Sequence, residues 1–438
     1  MDNKERLSLY LPVGVSAALY VFITYFTERH ESALLLTAYS ILFGLYLWLA
    51  HKTKPCSVSH FIFVAIAFRL LLLFALPNLS DDIYRFVWDG KLILNGINPF
   101  DKLPSFYAEN GLPNGLTLEL YGLLNSPDYF TIYPPFAQLI FLISVYLSPD
   151  SVLGSAVVMR LLIILAETVT IYTLIKLVDH YAVNRKYVML YALNPLVILE
   201  LTGNLHYEAF MIYFLAVGVY LYIKKKLVAS AVFIALAISA KLIPLMLLPL
   251  FLRKMPIKPL LKYYGWIALF TLIAFLPMLS STLLEGMTSS IGLYFQKFEF
   301  NASIYYLIRE IGYAIKGYNV IGAVGPYLAL ITFVFIMAVA WFKNKLDLPK
   351  LIMIVLTGYF LLATTVHPWY ITSIIAFAIF TGYRYVILWS FLIFFTYVGY
   401  AIEGFQENLW VTTIEYVLVI VYILYETYKE KKPVAAGV

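Results

Sequence analysis

Apolar runs of about 17–25 residues recur along almost the whole chain, each long enough to cross a hydrocarbon core. They fall near 7–26, 32–50, 59–76, 133–148, 153–176, 187–202, 207–223, 227–251, 261–280, 320–342, 350–365, 368–381, 385–401 and 410–427. This pattern predicts an all-α integral membrane protein, a polytopic bundle of about 13–14 transmembrane helices forming a single membrane domain over 1–438. Two long polar intervals interrupt it, 77–132 and 282–319, and the other connections are short. Interfacial helices are expected within both intervals, followed by the C-terminal helices of 320–438. The first run lacks a small-residue cleavage site and reads as a retained helix.

Lysines and arginines in short loops set the expected orientation. With the amino terminus inside, Lys52 and Lys54 lie inside, and both long intervals face outside. Lys343, Lys345 and Lys350 fit the inside as well. One loop disagrees, because Lys224, Lys225 and Lys226 fall outside on this count. Either 227–251, interrupted by Pro244 and Pro249, does not cross fully, or the rule fails locally.

Composition agrees with the pattern: 62% of residues are hydrophobic and 13% charged, against about 25% charged in soluble domains. The 37 tyrosines and 32 phenylalanines cluster near the ends of apolar runs, as rings at headgroup depth do. A net charge of +6 reflects loop lysines and gives no reason to expect nucleic acid. The one cysteine, Cys56, excludes an intramolecular disulfide and a cysteine metal cluster. The six histidines show no ligand spacing. No cofactor is evident, and a divalent ion on Asp81 and Asp82 is not favoured. The chain has no Gly-rich phosphate loop, which argues against a soluble nucleotide-sugar donor.

The chemistry concentrates where 77–132 leaves the third apolar run, in Ser80-Asp81-Asp82-Ile83-Tyr84-Arg85-Phe86-Val87-Trp88-Asp89-Gly90-Lys91. Ser80 can cap a helix whose first turn holds the two aspartates. A helix over 81–94 puts Asp82, Arg85 and Asp89 on one face, with Tyr84, Val87, Trp88 and Lys91 turned toward the interface. Asn95-Gly96 ends it and Pro99 prevents its return. The bland alternative is that the aspartates only cap an interfacial helix. Capping alone does not require two acids, an arginine and a third acid together.

This run, followed by Tyr133-Pro134-Pro135-Phe136, resembles the GT-C superfamily of polytopic glycosyltransferases. It is closest to prokaryotic polyprenyl-phosphate-mannose-dependent mannosyltransferases and to the catalytic subunit of GPI mannosyltransferase I. Asn194-Pro195 through Gly203-Asn204-Leu205-His206-Tyr207-Glu208, Lys241-Leu242-Ile243-Pro244 with Pro249, and His367-Pro368-Trp369-Tyr370 extend the resemblance over about 59–381. The superfamily's catalytic acid follows a transmembrane helix directly, which implies Asp82, with Asp81 as the other candidate. A contiguous Asp-Asp replaces the spaced pair of some members, so the choice between them stays open. The resemblance implies transfer of a sugar, with mannose favoured, from a polyprenyl-phosphate donor to a lipid, glycan or protein acceptor on the outer face of a prokaryotic cytoplasmic membrane. An inverting transfer needs one base, and the departing lipid phosphate needs charge stabilisation.

His367, Lys241, Arg85, Arg309 and Tyr370 are the candidates at the donor phosphate. Asp89, Tyr84, Tyr133, His206, Glu208 and Asn301 are the candidates for sugar or acceptor. Against these roles, Arg309 with Glu310 reads equally as a local ion pair, and His206 with Glu208 as helix caps. Arg69, inside an apolar run, is expected to pair with an intramembrane acid such as Glu167 or Glu200. The rival readings are a transporter or lipid flippase of the cell envelope, and a non-catalytic subunit of an envelope complex. Transporters pair broken helices in matching halves, and this chain shows no such pairing. The pattern specifies no oligomeric state.

Overall fold

The computed structural model describes residues 3–53, 57–283, 286–288, 292, 298–402 and 404–431. Lys54 and Cys56 lie outside the described residues, as does part of the interval 282–319. Helices dominate. Strand pairing among the described residues is limited to the short antiparallel ladder of Tyr400–Ala401 with Gly404–Phe405 and a bridge between Phe300 and Thr365.

Six helices are each long and apolar enough to cross a membrane: Leu9–Phe26, Ser32–Lys52, Val152–His180, Ile257–Met278, Ile321–Phe342 and Leu409–Lys429. The pair Val197–Gly203 and Glu208–Ile223, bent by 110°, brings the number to seven if it is counted as one broken span. Six shorter apolar helices fill the spaces between them, among them Val58–Leu71, Pro135–Leu147 and Leu227–Ala240. The protein is a polytopic all-α membrane protein. The expected thirteen or fourteen crossings reduce to six or seven helices with the length to span, because several apolar runs form short or broken segments.

Two of those runs explain the misplaced lysine loop. The run 133–148 does not descend through the bundle. Helix Pro135–Leu147 starts beside Asp82, and its Ser144 and Ser148 carbonyls accept from Ser155, in the second turn of Val152–His180. The far end of that 29-residue helix meets the opposite end of the protein, where Tyr181 packs on Phe380. The run 227–251 is two segments. Helix Leu227–Ala240 stops at Lys241, whose φ of −158° and ψ of 141° are extended, and a 3₁₀ segment Ile243–Phe251 carrying Pro244 and Pro249 turns back. The corrected path places Lys224–Lys226 beside Lys254, whose carbonyl lies 3.5 Å from the Tyr222 hydroxyl. The Lys254 ammonium donates to the Asn344 and Leu346 carbonyls at 2.6 Å, so this loop shares an end with Lys343 and Lys345.

Buried charges tie the bundle together, as a medium without water demands. Arg69 donates to Glu167 at 2.9 Å and to the Ala192 carbonyl at 2.8 Å, and Tyr191 donates to the same glutamate at 2.7 Å. Of the two acids anticipated for Arg69, the partner is Glu167. Arg160 reaches four carbonyls: Leu73 and Ala75 at 2.8 and 2.6 Å, and Thr202 and Gly203 at 2.8 and 2.9 Å. Those oxygens sit where Val58–Leu71 and Val197–Gly203 have run out of helix and have no amide partner of their own.

Helix Asp82–Leu94 differs from its expected setting. Val87 and Trp88 are buried under Pro135–Leu147 and the loop that follows helix Asp82–Leu94, and do not rest on an interface. Phe86 stacks on Phe141 at 4.5 Å, Trp88 meets Tyr121, and Lys91 donates to the Gly115 carbonyl. Gly90 lets the two helices close in, because a Cβ there would sit 2.6 Å from the Phe141 carbonyl oxygen. Helix Ile304–Lys316, in contrast, exposes Leu307, Ile311 and Ile315 along one stripe, as an interfacial helix does.

Two outcomes test this architecture. In a Cys56→Ser background, Lys102→Cys and Lys224→Cys should react with an impermeant maleimide from opposite faces of the membrane; labelling from one face would overturn the corrected path. Arg160→Met keeps bulk but strands four carbonyls, and each buried unpaired group costs about 1–3 kcal/mol. It should lower the unfolding temperature in detergent far more than Arg309→Met does.

Candidate active site

A cavity of about 770 Å³ opens at the end of the bundle where the two long intervals meet. They touch directly where Thr282 donates to Asp101 at 2.7 Å, and just before the second interval the Met278 carbonyl accepts from the Asn98 carboxamide at 2.8 Å. Asp81 and Asp82 both line the cavity and are held differently. Asp81 forms an ion pair with Arg29 at 2.6 Å, and Arg29 also lies over the Tyr400 ring at 5.0 Å. Asp82 has no ion-pair partner among the described residues; it accepts from Asn125 at 2.9 Å and from the Tyr133 hydroxyl at 3.0 Å. Two neutral donors fix its orientation and leave its charge uncancelled.

Arg85 builds the adjoining wall. Its guanidinium pairs with Asp89 at 2.9 Å and donates to the Ser126 and Tyr129 carbonyls at 3.1 and 3.0 Å. Asp89 is fully buried, off the cavity, and accepts the Gln138 carboxamide at 2.9 Å. The pair therefore clamps the returning strand 126–131 against helix Asp82–Leu94. Asp82 does not join Arg85 in an ion pair, although the two share a helix face in sequence.

The opposite wall is aromatic and cationic. His206 stacks on Trp369 at 3.6 Å and Trp369 on His367 at 4.4 Å, and Phe300 lies against His367 at 4.4 Å with its ring tilted by 33°. Buried Glu200 sits 3.3 Å from His206 Nε2 and accepts from Tyr397 at 2.9 Å and Asn204 at 3.1 Å. The chain turns into this wall through Leu205 at a positive φ of 62°, a conformation that costs a non-glycine residue about 1–2 kcal/mol. Glu208 pairs with Lys241, whose ammonium also lies 4.8 Å over the Tyr370 ring. His367 Nδ1 is shielded from solvent and has no hydrogen-bond partner among the described residues.

A second, apolar groove of about 420 Å³ adjoins this cavity. Leu245, Met246, Leu328, Phe333 and Ile336 line it, and Lys241, Tyr370, Thr131 and Ile132 line both spaces. Lys241 thus stands at the junction of a polar chamber and an apolar trough.

Four expected site residues lie elsewhere, the first of them Asp89, buried against Arg85. Arg309 is held by Glu299 at 2.7 Å and Glu310 at 2.9 Å, over the Tyr306 ring, and does not reach the cavity. Asn301 donates its carboxamide to Glu415 at 3.2 Å, at a positive φ of 44°. Tyr84 packs against the core outside the lining. Arg29, Asn125 and Gln138 escaped the sequence reading, and Glu200 entered it only as a candidate partner for Arg69. Glu200 and Glu415, acids within apolar runs, carried a signal; Arg29, in a short polar stretch, and Asn125, within the long interval 77–132, carried none. No group of three metal-ligating side chains occurs among the described residues.

The family model described as alpha-(1->6)-mannopyranosyltransferase, N-terminal domain, matches residues 13–255, which include Asp82, His206, Glu208 and Lys241. The chain is 27% identical over 184 residues to alpha-(1->6)-mannopyranosyltransferase A of Corynebacterium glutamicum, covering 41% of this chain and 35% of that protein. It is 24% identical over 217 residues to the protein of the same name from Mycobacterium tuberculosis, covering 48% of this chain and 40% of that one. The matched segments span well under half the length of either relative.

The histidine stack generates a pH prediction. Burial, helped by neighbouring His206 and Lys241, holds His367 well below the ordinary histidine pKa of 6.5, so it is neutral at pH 7. Between its folded pKa and 6.5 the unfolded chain binds more protons, so its contribution is constant above about pH 6.5 and stability falls as pH drops beneath that value. His367→Gln should flatten part of the loss of unfolding temperature between pH 7.5 and 5.5. An unchanged slope would place His367 in contact with water.

Proposed function

This chain belongs to the alpha-(1->6)-mannopyranosyltransferase family, and we propose that it is a membrane mannosyltransferase that takes mannose from a polyprenyl-phosphate donor. The acceptor is a glycan or glycolipid hydroxyl delivered at the external face. The single observation that carries this reading is the junction at Lys241, where an apolar groove and an acid-lined polar cavity meet. A polyprenyl phosphate has the matching division: an apolar chain, an anionic phosphate and a polar sugar. With the chain in the groove and the mannose in the cavity, the phosphate comes to Lys241.

Asp82 is the general base. Its carboxylate takes the proton of the acceptor hydroxyl as that oxygen attacks the anomeric carbon, the bond from that carbon to the phosphate oxygen breaks, and polyprenyl phosphate leaves. Direct displacement inverts the anomeric configuration and forms no covalent intermediate. Asp82 suits the role better than Asp81, because the Arg29 guanidinium already satisfies Asp81. Tyr133 and Asn125 aim the base. Lys241 offsets the charge that grows on the departing phosphate, and neutral His367 can donate one hydrogen bond to a phosphate oxygen. His206, held by Glu200 and Trp369, and Glu208 lie against the sugar hydroxyls. Arg85 and Asp89 act as positioning residues through the wall they clamp.

Loss of a general base typically costs 10²–10⁴-fold in rate. Asp82→Asn should lose at least about 100-fold of mannosyl transfer in proteoliposomes supplied with polyprenyl-phosphate mannose. Unfolding temperature should stay close to wild type. Asp81→Asn should lose less, and GDP-mannose should not replace the lipid donor. Full activity of Asp82→Asn would remove the base assignment, and equal use of GDP-mannose would remove the donor.

A further inference from the structure

A second large cavity, of about 780 Å³, lies at the other end of the bundle from the candidate active site. Helix Ser32–Lys52 connects the two: Arg29, just before its start, lines the first cavity, and His51, at its end, lines the second. Its 21 residues rise about 1.5 Å each, close to the roughly 30 Å of a hydrocarbon core. The segment Tyr385–Gly399 makes the same passage, from Arg384 here to Tyr400 there.

The walls of this cavity are apolar, built from Phe43, Leu47, Leu190, Ile387 and Phe391, with Leu47 45% exposed toward the surroundings. Its rim is basic. Arg384, Lys186 and His51 line it, and none of the three has a carboxylate within ion-pair distance among the described residues. Arg384 instead lies 4.7 Å over the Tyr187 ring, and Lys186 5.5 Å from the same ring. Glu426, beside Arg384, is already engaged: it accepts the Arg384 and Tyr385 backbone amides at 2.8 and 3.0 Å. Two permanent cations and an imidazole therefore stand over an apolar slot, on the face that gathers Lys52 and the lysine loops.

We propose that this cavity is a binding site for an anionic phospholipid, with the phosphate between Arg384 and Lys186 and an acyl chain in the slot. The arrangement is independent of mannosyl transfer, since no residue of the candidate active site contributes to it. A cationic mouth alone would collect any phosphate, and an apolar slot alone any lipid tail. Their combination selects an anionic lipid. Gly44 supplies an internal check. A Cβ built there meets nothing within 4 Å, so this lining position has open space for a side chain that would compete with an acyl chain.

The test is native mass spectrometry of the purified full chain in detergent, titrated separately with phosphatidylglycerol, phosphatidylcholine and soluble glycerol 3-phosphate. The wild type should retain phosphatidylglycerol about tenfold or more tightly than phosphatidylcholine. Glycerol 3-phosphate should not be retained. The double variant Arg384→Gln, Lys186→Gln should lose the preference for the anionic lipid, and Gly44→Leu should weaken retention of both lipids. Equal retention of the two lipids by the wild type would overturn the proposal. So would retention of glycerol 3-phosphate, or phosphatidylglycerol binding that survives Gly44→Leu. Gly44→Leu decides the matter alone if the double variant does not fold.

Discussion

Four backbone carbonyls with no amide to pair with set the terms of this fold. In water such groups would be hydrated; inside an apolar bundle each needs an internal donor. Arg160 supplies them all from one guanidinium, reaching Leu73 and Ala75 on one broken segment and Thr202 and Gly203 on another. The first segment leads six residues later to Asp81 and the second three residues later to His206. The same interaction that repairs two helix ends therefore brings the acid-bearing loop and the histidine wall to one cavity. A bidentate, planar donor with fixed charge can do this, whereas a lysine could not reach both segments with comparable geometry.

Breaks in the helices recur around the candidate active site. Leu227–Ala240 ends at Lys241, Val197–Gly203 ends just before His206, and Leu348–Leu362 ends shortly before His367. A continuous transmembrane helix hides its backbone and presents only side chains around a cylinder. A broken one turns its end groups and its next few side chains into the space at the bundle's end. That is why Lys241 can face a polar cavity on one side and an apolar groove on the other.

The charged residues sort by their partners. Asp81 with Arg29, Arg85 with Asp89, and Arg309 with Glu299 hold walls and loops in place. Asp82 is oriented by neutral donors, and His367 Nδ1 has no hydrogen-bond partner among the described residues. The distinction is invisible in a list of acidic and basic positions. It appears only when each charge is followed to what it touches.

Hydrophobic periodicity alone determined that the chain lives in lipid, that it is helical throughout, and that 77–132 is the loop to watch, because runs near twenty apolar residues admit few alternatives. The motifs around Asp82, His206, Lys241 and His367 were legible for a related reason: a polar residue at the edge of an apolar run must have a use. The tertiary structure decided the rest. Whether an apolar run crosses once, turns back or stays at one end depends on its packing partners, as Pro135–Leu147 against Asp82–Leu94 illustrates. Pairings across the chain, such as Arg29 with Asp81 or Glu200 with His206, join residues 52 and 6 positions apart and follow no spacing rule. Periodicity is a property of one segment, and a site is a property of several, so the chain announced its chemistry and the fold chose which groups would be free to perform it.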